Sequence, residues 1–190
     1  MDFFQRAVTL GDLIRNRGNE QTSIVTRAEY NGLIDSFSDR LLRYALKLTR
    51  DYSWSQDLVQ DSLAKLWVSR VKITLDHAPA FLYKVLHNKM IDDKRKLSRT
   101  QLSERLPERG QHHDTVEQKD LLERAFDLLE ERQRQIIMLR DWQGYSYKEI
   151  GEILDYGESL VKVQLFRARK KVKQIITELE KTQSSYNGYQ

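Results

Sequence analysis

Six basic residues crowd into the stretch from Leu160 to Lys173: Lys162, Arg167, Arg169, Lys170, Lys171 and Lys173, with no acid among them. Val161, Leu165, Ala168 and Val172 recur at helical spacing through the same stretch, so one side can pack while the other meets solvent. The chemistry that suits such a face is polyanion binding, in which ammonium and guanidinium groups displace the counterions of phosphates. Upstream, Asp57 and Asp61 stand four apart with Gln60 beside them, which puts both carboxylates on one face of a helix. A third set, Phe81, Tyr83, Lys84, His87 and Asn88, runs on into Lys89, Lys94, Arg95, Lys96 and Arg99. Rings interleaved with cations suit single-stranded nucleic acid, because bases stack on the rings while the cations follow the backbone. Read alone, the acidic pair also fits a solvated face near a helix start, and Phe81 also fits a core position.

These residues need elements to hold them. Ser146 followed by Glu149 has the spacing of a capping box, which predicts a short helix from about Tyr147, with Ile150, Ile153 and Leu154 on one face. Asp155, Tyr156 and Gly157 supply turn chemistry; Gly157 is expected to take a positive φ and Ser159 to cap the next helix. A short capped helix, a tight turn and a second helix that is basic on its outer side form a helix-turn-helix at 145 to 173, built to enter a DNA groove.

The composition fits helices. Of 190 residues, 32% are charged and 39% hydrophobic, and only eight Gly and two Pro interrupt the chain. With a mean hydropathy of −0.67, this predicts an all-α protein. Its formal charge of +4 is modest, so the basic residues act through clustering rather than through their sum. Without cysteine there is no disulfide, thiolate zinc site or cysteine nucleophile. The first residues hold no apolar core of signal-peptide length and no stretch is long enough to span a bilayer, so the expectation is a cytoplasmic protein with no membrane insertion.

Apolar periodicity organises the chain. Residues 1–27 read as an extension, with a short helix at 7 to 15. A helical run from Ala28 carries Leu33, Phe37, Leu41 and Ala45; Asp51-Tyr52-Ser53 ends it, and Ser55 is expected to cap the next, which carries Leu58, Val59, Leu63 and Leu66. Pro79 suits the first turn of a third helix, which carries Phe81, Leu82, Val85 and Leu86. Residues 97–119, poor in apolar side chains, read as a linker between two small helical modules, 28–96 and 120–177, with 178–190 as a frayed tail. His112-His113 in that linker, with no Cys and no spaced carboxylates, makes no metal site, and no cofactor is implied.

The segments DLVQDSLAKLW, AFLYKVLHNKMIDDKRK, LEERQRQIIMLRDWQGYSYKEIGEIL and VKVQLFRARKK, in this order, resemble the extracytoplasmic-function (ECF) sigma factors of bacterial RNA polymerase, from about residue 28 to 177. Each motif is moderately specific, while the ordered set is highly specific. The resemblance implies a region 2 in the front module and a region 4 in the rear one. Asp57, Gln60 and Asp61 would dock on basic residues of the clamp helices of the polymerase's largest subunit, with the flap as a further contact. Phe81, Tyr83, Lys84, Asn88 and Lys89 would meet the melted minus-ten element, Asn88 near the pocket for a flipped base. Glu158, Ser159, Lys162, Val163, Gln164, Phe166, Arg167 and Lys170 would face the double-stranded minus-thirty-five element. Family members commonly have a small hydroxyl residue where this chain has Val163 and a basic one where it has Gln164, which leaves the base code open. An anti-sigma factor is the further partner implied.

A conventional regulator that binds duplex DNA as a stand-alone dimer is the alternative, and it leaves Tyr83, Lys84 and Asn88 without a task. An enzyme is not indicated: the chain has no Gly-rich phosphate loop, no nucleophile elbow and no HExxH.

Overall fold

The computed structural model describes residues 25–100 and 121–187. The expected helix at 7 to 15, His112-His113 and nearly all of the expected linker lie outside the described residues. The described residues form two compact units, the first drawn mainly from 25–100 and the second mainly from 121–187.

The first unit holds three long helices. Helix α1 spans Arg27–Thr49. Thr26 starts it: its Oγ1 accepts the Glu29 amide at 3.2 Å, and its own amide donates to the Glu29 carboxylate at 2.8 Å. Arg50, in the left-handed region at φ 58°, ends it. Helix α2 spans Tyr52–Ser69, and its cap is Asp51, whose Oδ1 accepts the Trp54 amide at 2.9 Å. The expectation that Ser55 caps this helix is thus corrected: a carboxylate at the chain reversal reaches the free amide first. Ser55 is buried within the first turn, and its hydroxyl donates back to the Asp51 carbonyl at 2.6 Å.

A 3-10 turn over Arg70–Lys72 leads to helix α3, Ala78–Thr100, which continues past the linker boundary expected at 97. Leu33, Phe37, Leu41, Tyr44 and Leu48 of α1 fill the core with Leu58 and Leu66 of α2 and Leu82, Leu86 and Met90 of α3. Val25 is buried as well, its amide donating to the Arg70 carbonyl at 3.2 Å, so this unit begins slightly before the predicted boundary.

The second unit begins with α4, Leu121–Asp127, and α5, Glu131–Ile137. Helix α5 runs into a π-helical turn over Met138–Trp142, which no sequence signal had indicated. Gly144, at φ 78°, closes that turn. Helix α6, Tyr147–Leu154, starts at the capping box read from the sequence: the Ser146 amide donates to the Glu149 carboxylate at 2.7 Å, and the Glu149 amide to Ser146 Oγ at 3.2 Å. Helix α7 spans Glu158–Asn187, well beyond the tail boundary expected at 177. Both α4 and α5 pack against it. Ala125, Phe126, Ile136, Leu139, Ile150, Val161, Leu165 and Ala168 are buried in this unit.

The turn between α6 and α7 differs from expectation. Asp155, at φ 58°, takes the left-handed conformation, and Gly157 does not. The short polar side chain of Asp makes that region accessible at small cost. The Gly157 carbonyl accepts the first helical bond, from Val161 at 3.1 Å, so Gly157 occupies the cap position and Ser159 lies inside the first turn. The glycine this turn requires is Gly151: a Cβ there would sit 2.6 Å from the Tyr156 carbonyl oxygen. The Tyr156 amide closes the same turn by donating to the Gly151 carbonyl at 2.9 Å.

Candidate nucleic-acid interface

On α2, Asp57, Gln60 and Asp61 are all exposed. They stand one helical turn apart, as their spacing requires. Asp61 is not electrostatically free: Lys89 of α3 places its ammonium 3.1 Å from the Asp61 carboxylate and 3.5 Å from that of Asp93. Asp93 in turn accepts the Trp54 indole N–H at 3.3 Å. The two carboxylates, Asp61 first, push the Lys89 ammonium above its ordinary pKa. Lys89, expected to meet DNA, is therefore shared with a residue expected to meet protein.

On α3, Lys84 and Asn88 are exposed and Phe81 is half-buried. Tyr83 is the correction. It is wholly enclosed, edge-on to Tyr44 with ring centroids 5.1 Å apart. Burial pushes its phenol far above the ordinary value, against the opposing pull of Arg40 and Arg43. It stands on the face of α3 that also carries Leu82, Leu86 and Met90, so apolar packing claims the ring and leaves no face for a base. The turn before α3 is ordered by its own polar contacts: Thr74 Oγ1 lies 2.7 Å from His77 Nδ1, and the Ala78 amide donates to the Thr74 carbonyl at 3.1 Å.

On α7, the expected sorting holds at Val161, Leu165 and Ala168, while Val172, also expected inside, is half-buried. Val161, Leu165 and Ala168 are buried, while Glu158, Ser159, Lys162, Val163, Phe166, Arg167 and Lys170 are exposed and Gln164 is half-buried. Two of the cations are already engaged. Lys162 pairs with Glu158 at 2.7 Å, which raises its pKa, and lies 5.5 Å from the Tyr147 ring centroid. Arg169 forms a two-point contact with Asp141, with one bond from Nε at 3.2 Å, and Asp141 holds the guanidinium firmly protonated. The π-helical turn that carries Asp141 also stacks Trp142 on Phe126 at 4.9 Å. Beside it, Arg140 donates to the Tyr145 carbonyl at 2.8 Å and lies 4.7 Å from the Tyr147 ring centroid. These contacts fix the basic helix against its unit. Only the Glu158–Lys162 pair had a local sequence signal, its four-residue spacing. Asp141 and Arg169 are too far apart in the chain for any such pattern.

Residues 33–100 match the family described as sigma-70 region 2, and residues 119–172 the family described as sigma-70, region 4. The RNA polymerase sigma-E factor of Streptomyces coelicolor is 30% identical over 152 residues, which cover 77% of this chain and 85% of that protein. The chain belongs to the ECF group of sigma factors. Another similar relative is the ECF RNA polymerase sigma factor SigL of Mycobacterium tuberculosis, 29% identical over 157 residues, covering 77% of this chain and 88% of the relative. Among solved structures, the sigma factor RpoE of Bartonella quintana, in complex with the anti-sigma factor NepR, aligns with a TM-score of 0.65 at 22% identity, over 78% of this chain and 97% of that one. That likeness concerns the fold. The two units of this sigma factor are thus a region 2 made of α1–α3 and a region 4 made of α4–α7. Among the described residues no helix is long and apolar enough to cross a membrane, and no cluster of His, Asp or Glu has the form of a metal site.

Proposed function

We propose that the sigma factor divides its work by residue as follows. Asp57, Gln60 and Asp61 of α2 dock on a basic surface of core RNA polymerase, the clamp helices of its largest subunit. Phe81, Lys84 and Asn88 of α3, with the turn before it, engage the melted minus-ten strand, and Lys89 joins them when Asp61 finds another cation. Helix α7 enters the major groove of the minus-thirty-five element with Arg167 and Lys170 on phosphates. The protein does no covalent chemistry of its own and works in the cytoplasm. An anti-sigma protein holds it inactive, a reading supported by its likeness to a sigma factor solved with one.

The observation that carries this division is the pairing, in one chain, of an exposed carboxylate face on α2 with a basic face on α7 that holds no acid from Leu160 to Thr177. A stand-alone regulator would need only the second. The test is reconstitution with core polymerase and a promoter library. Transcripts starting at a two-part promoter are expected, and a chain that neither binds core nor initiates would return the field to the stand-alone regulator. Asp57→Arg should weaken core binding at least about tenfold by setting like charges against each other, with the first unit still folded. Asp61→Arg should do the same while also repelling Lys89. Unchanged core affinity in both would remove α2 as the docking face.

A further inference from the structure

The centre of the DNA-facing side of α7 is apolar. At 3.6 residues per turn, Val163 and Phe166 lie almost opposite the buried line of Val161, Leu165 and Ala168, flanked on the same outward strip by Ser159 and Lys170. Val163 is 45% exposed and Phe166 70%, and Leu160, on the flank, is 38% exposed. Among the described residues of this unit, none encloses the first two. Leaving a phenyl ring in water forfeits the stabilisation that burial would bring, so the ring needs a partner elsewhere.

The surroundings say what that partner is. From Leu160 to Thr177 the helix carries no acid, and Arg167 and Lys170 stand exposed around the apolar pair. Such a rim fits a polyanion rather than an apolar protein groove. Recognition helices present their N-terminal residues to base edges, so positions 158 to 167 do the reading. There Lys162 is held by Glu158 at 2.7 Å, and neither Val163 nor Phe166 can donate or accept a hydrogen bond. In the major groove, the one base feature that an apolar side chain can select is the C5-methyl group of thymine.

We propose that this chain reads its upstream promoter element through thymine methyl groups, Val163 and Phe166 each seating one. This rests on the reading that α7 enters the groove of that element. Three residues of helix rise about 4.5 Å, so the two thymines lie one or two base-pair steps apart. Arg167 and Lys170 bind the flanking phosphates and add affinity without sequence preference.

The experiment replaces thymidine by deoxyuridine, which removes only the methyl, position by position in the upstream element of a promoter selected by the reconstituted holoenzyme. At two positions, affinity and initiation should fall about three- to fourfold each, the worth of one buried carbon. Phe166→Ala and Val163→Ala should erase that difference at one position apiece. Equal use of thymidine and deoxyuridine templates at every upstream position, with initiation intact, overturns the proposal and leaves the sigma reading standing. So does an equal loss by the variants on both templates. If the chain starts no transcript, the sigma reading itself fails, and the same substitution in duplexes selected by the full-length chain alone decides the methyl question. Should Phe166→Ala instead turn a dimer of the free chain into a monomer while deoxyuridine has no effect, the apolar pair faces a second copy and the proposal falls.

Discussion

Helices α3 and α7 are the long basic helices of their units, and they use aromatic residues in opposite ways. In α3, Tyr83 is enclosed on the same face as Leu82 and Leu86, with Lys84 and Asn88 outside it. In α7, Phe166 stands opposite the buried face, between Val163 and Lys170. A ring close to cations along the sequence is therefore a poor guide to a nucleic-acid contact. What decides is where the ring falls in the helical period relative to the apolar residues that must be buried. Tyr83 falls with them and stabilises the fold; Phe166 falls against them and is left exposed.

The largest effect that could break this contrast is on stability. Tyr83→Ala should cost the first unit about 3–5 kcal/mol, as large core truncations do, read as a lower midpoint in denaturant unfolding. Phe166→Ala should leave the second unit within about 0.5 kcal/mol of the parent. A Tyr83→Ala protein that unfolds at the parental midpoint would put the ring outside the core. Titration sharpens the same point. The buried phenol has a pKa raised above its ordinary 10.0, so the stability it contributes is fully present below about pH 10 and is lost as the pH rises and the unfolded chain ionises first. Tyr83→Phe should flatten the alkaline fall in stability and change little at pH 7. A parallel alkaline decline in both proteins would mean that the phenol is solvated.

The next effect concerns the turn before α7. Gly151→Ala drives a Cβ against a backbone oxygen, which no rotamer can relieve, and should cost the second unit about 1–3 kcal/mol. Gly157→Ala, in open space and without a positive φ, should cost less than about 1 kcal/mol. Thermal melts of the two variants give the order, and a reversed order would return the strain to Gly157.

That pair of glycines shows where the sequence is legible. Apolar spacing placed α1, α2, α3, α6 and α7, and Ser146 with Glu149 placed the start of α6 to the residue, because both signals are local and periodic. The packed positions Val161, Leu165 and Ala168 of α7 followed from the same periodicity. What escaped depends on atoms far apart in sequence or on the path of the backbone. The approach of the Tyr156 carbonyl to Gly151, the π-helical turn that delivers Asp141 to Arg169, and the reach of Lys89 across to Asp61 leave no pattern of residue types. Capping went astray at Ser55 and Ser159 because a nearby Asp or Gly can hold the cap position as well as a Ser can. Tyr83 went astray because an amphipathic ring satisfies both a core pattern and a nucleic-acid pattern.

The smallest effect tests whether the α2 carboxylates and the α3 cations form one surface. Lys89 and Asp61 keep 37% and 53% of their side-chain surface, so solvent screens the pair and its worth should be at most about 1 kcal/mol. A double-mutant cycle of Asp61→Asn and Lys89→Met, followed by thermal unfolding of the full chain, should return a coupling of a few tenths of a kcal/mol at low salt that vanishes in concentrated salt. The same cycle on core affinity carries more information. If polymerase offers Asp61 a better cation, Lys89→Met should strengthen core binding slightly, since the internal competitor is gone, and the gain should disappear in the Asp61→Asn background. A Lys89→Met protein that binds core more weakly, with the loss retained in Asp61→Asn, would make Lys89 a docking contact in its own right and end the proposed division of protein and DNA contacts between α2 and α3.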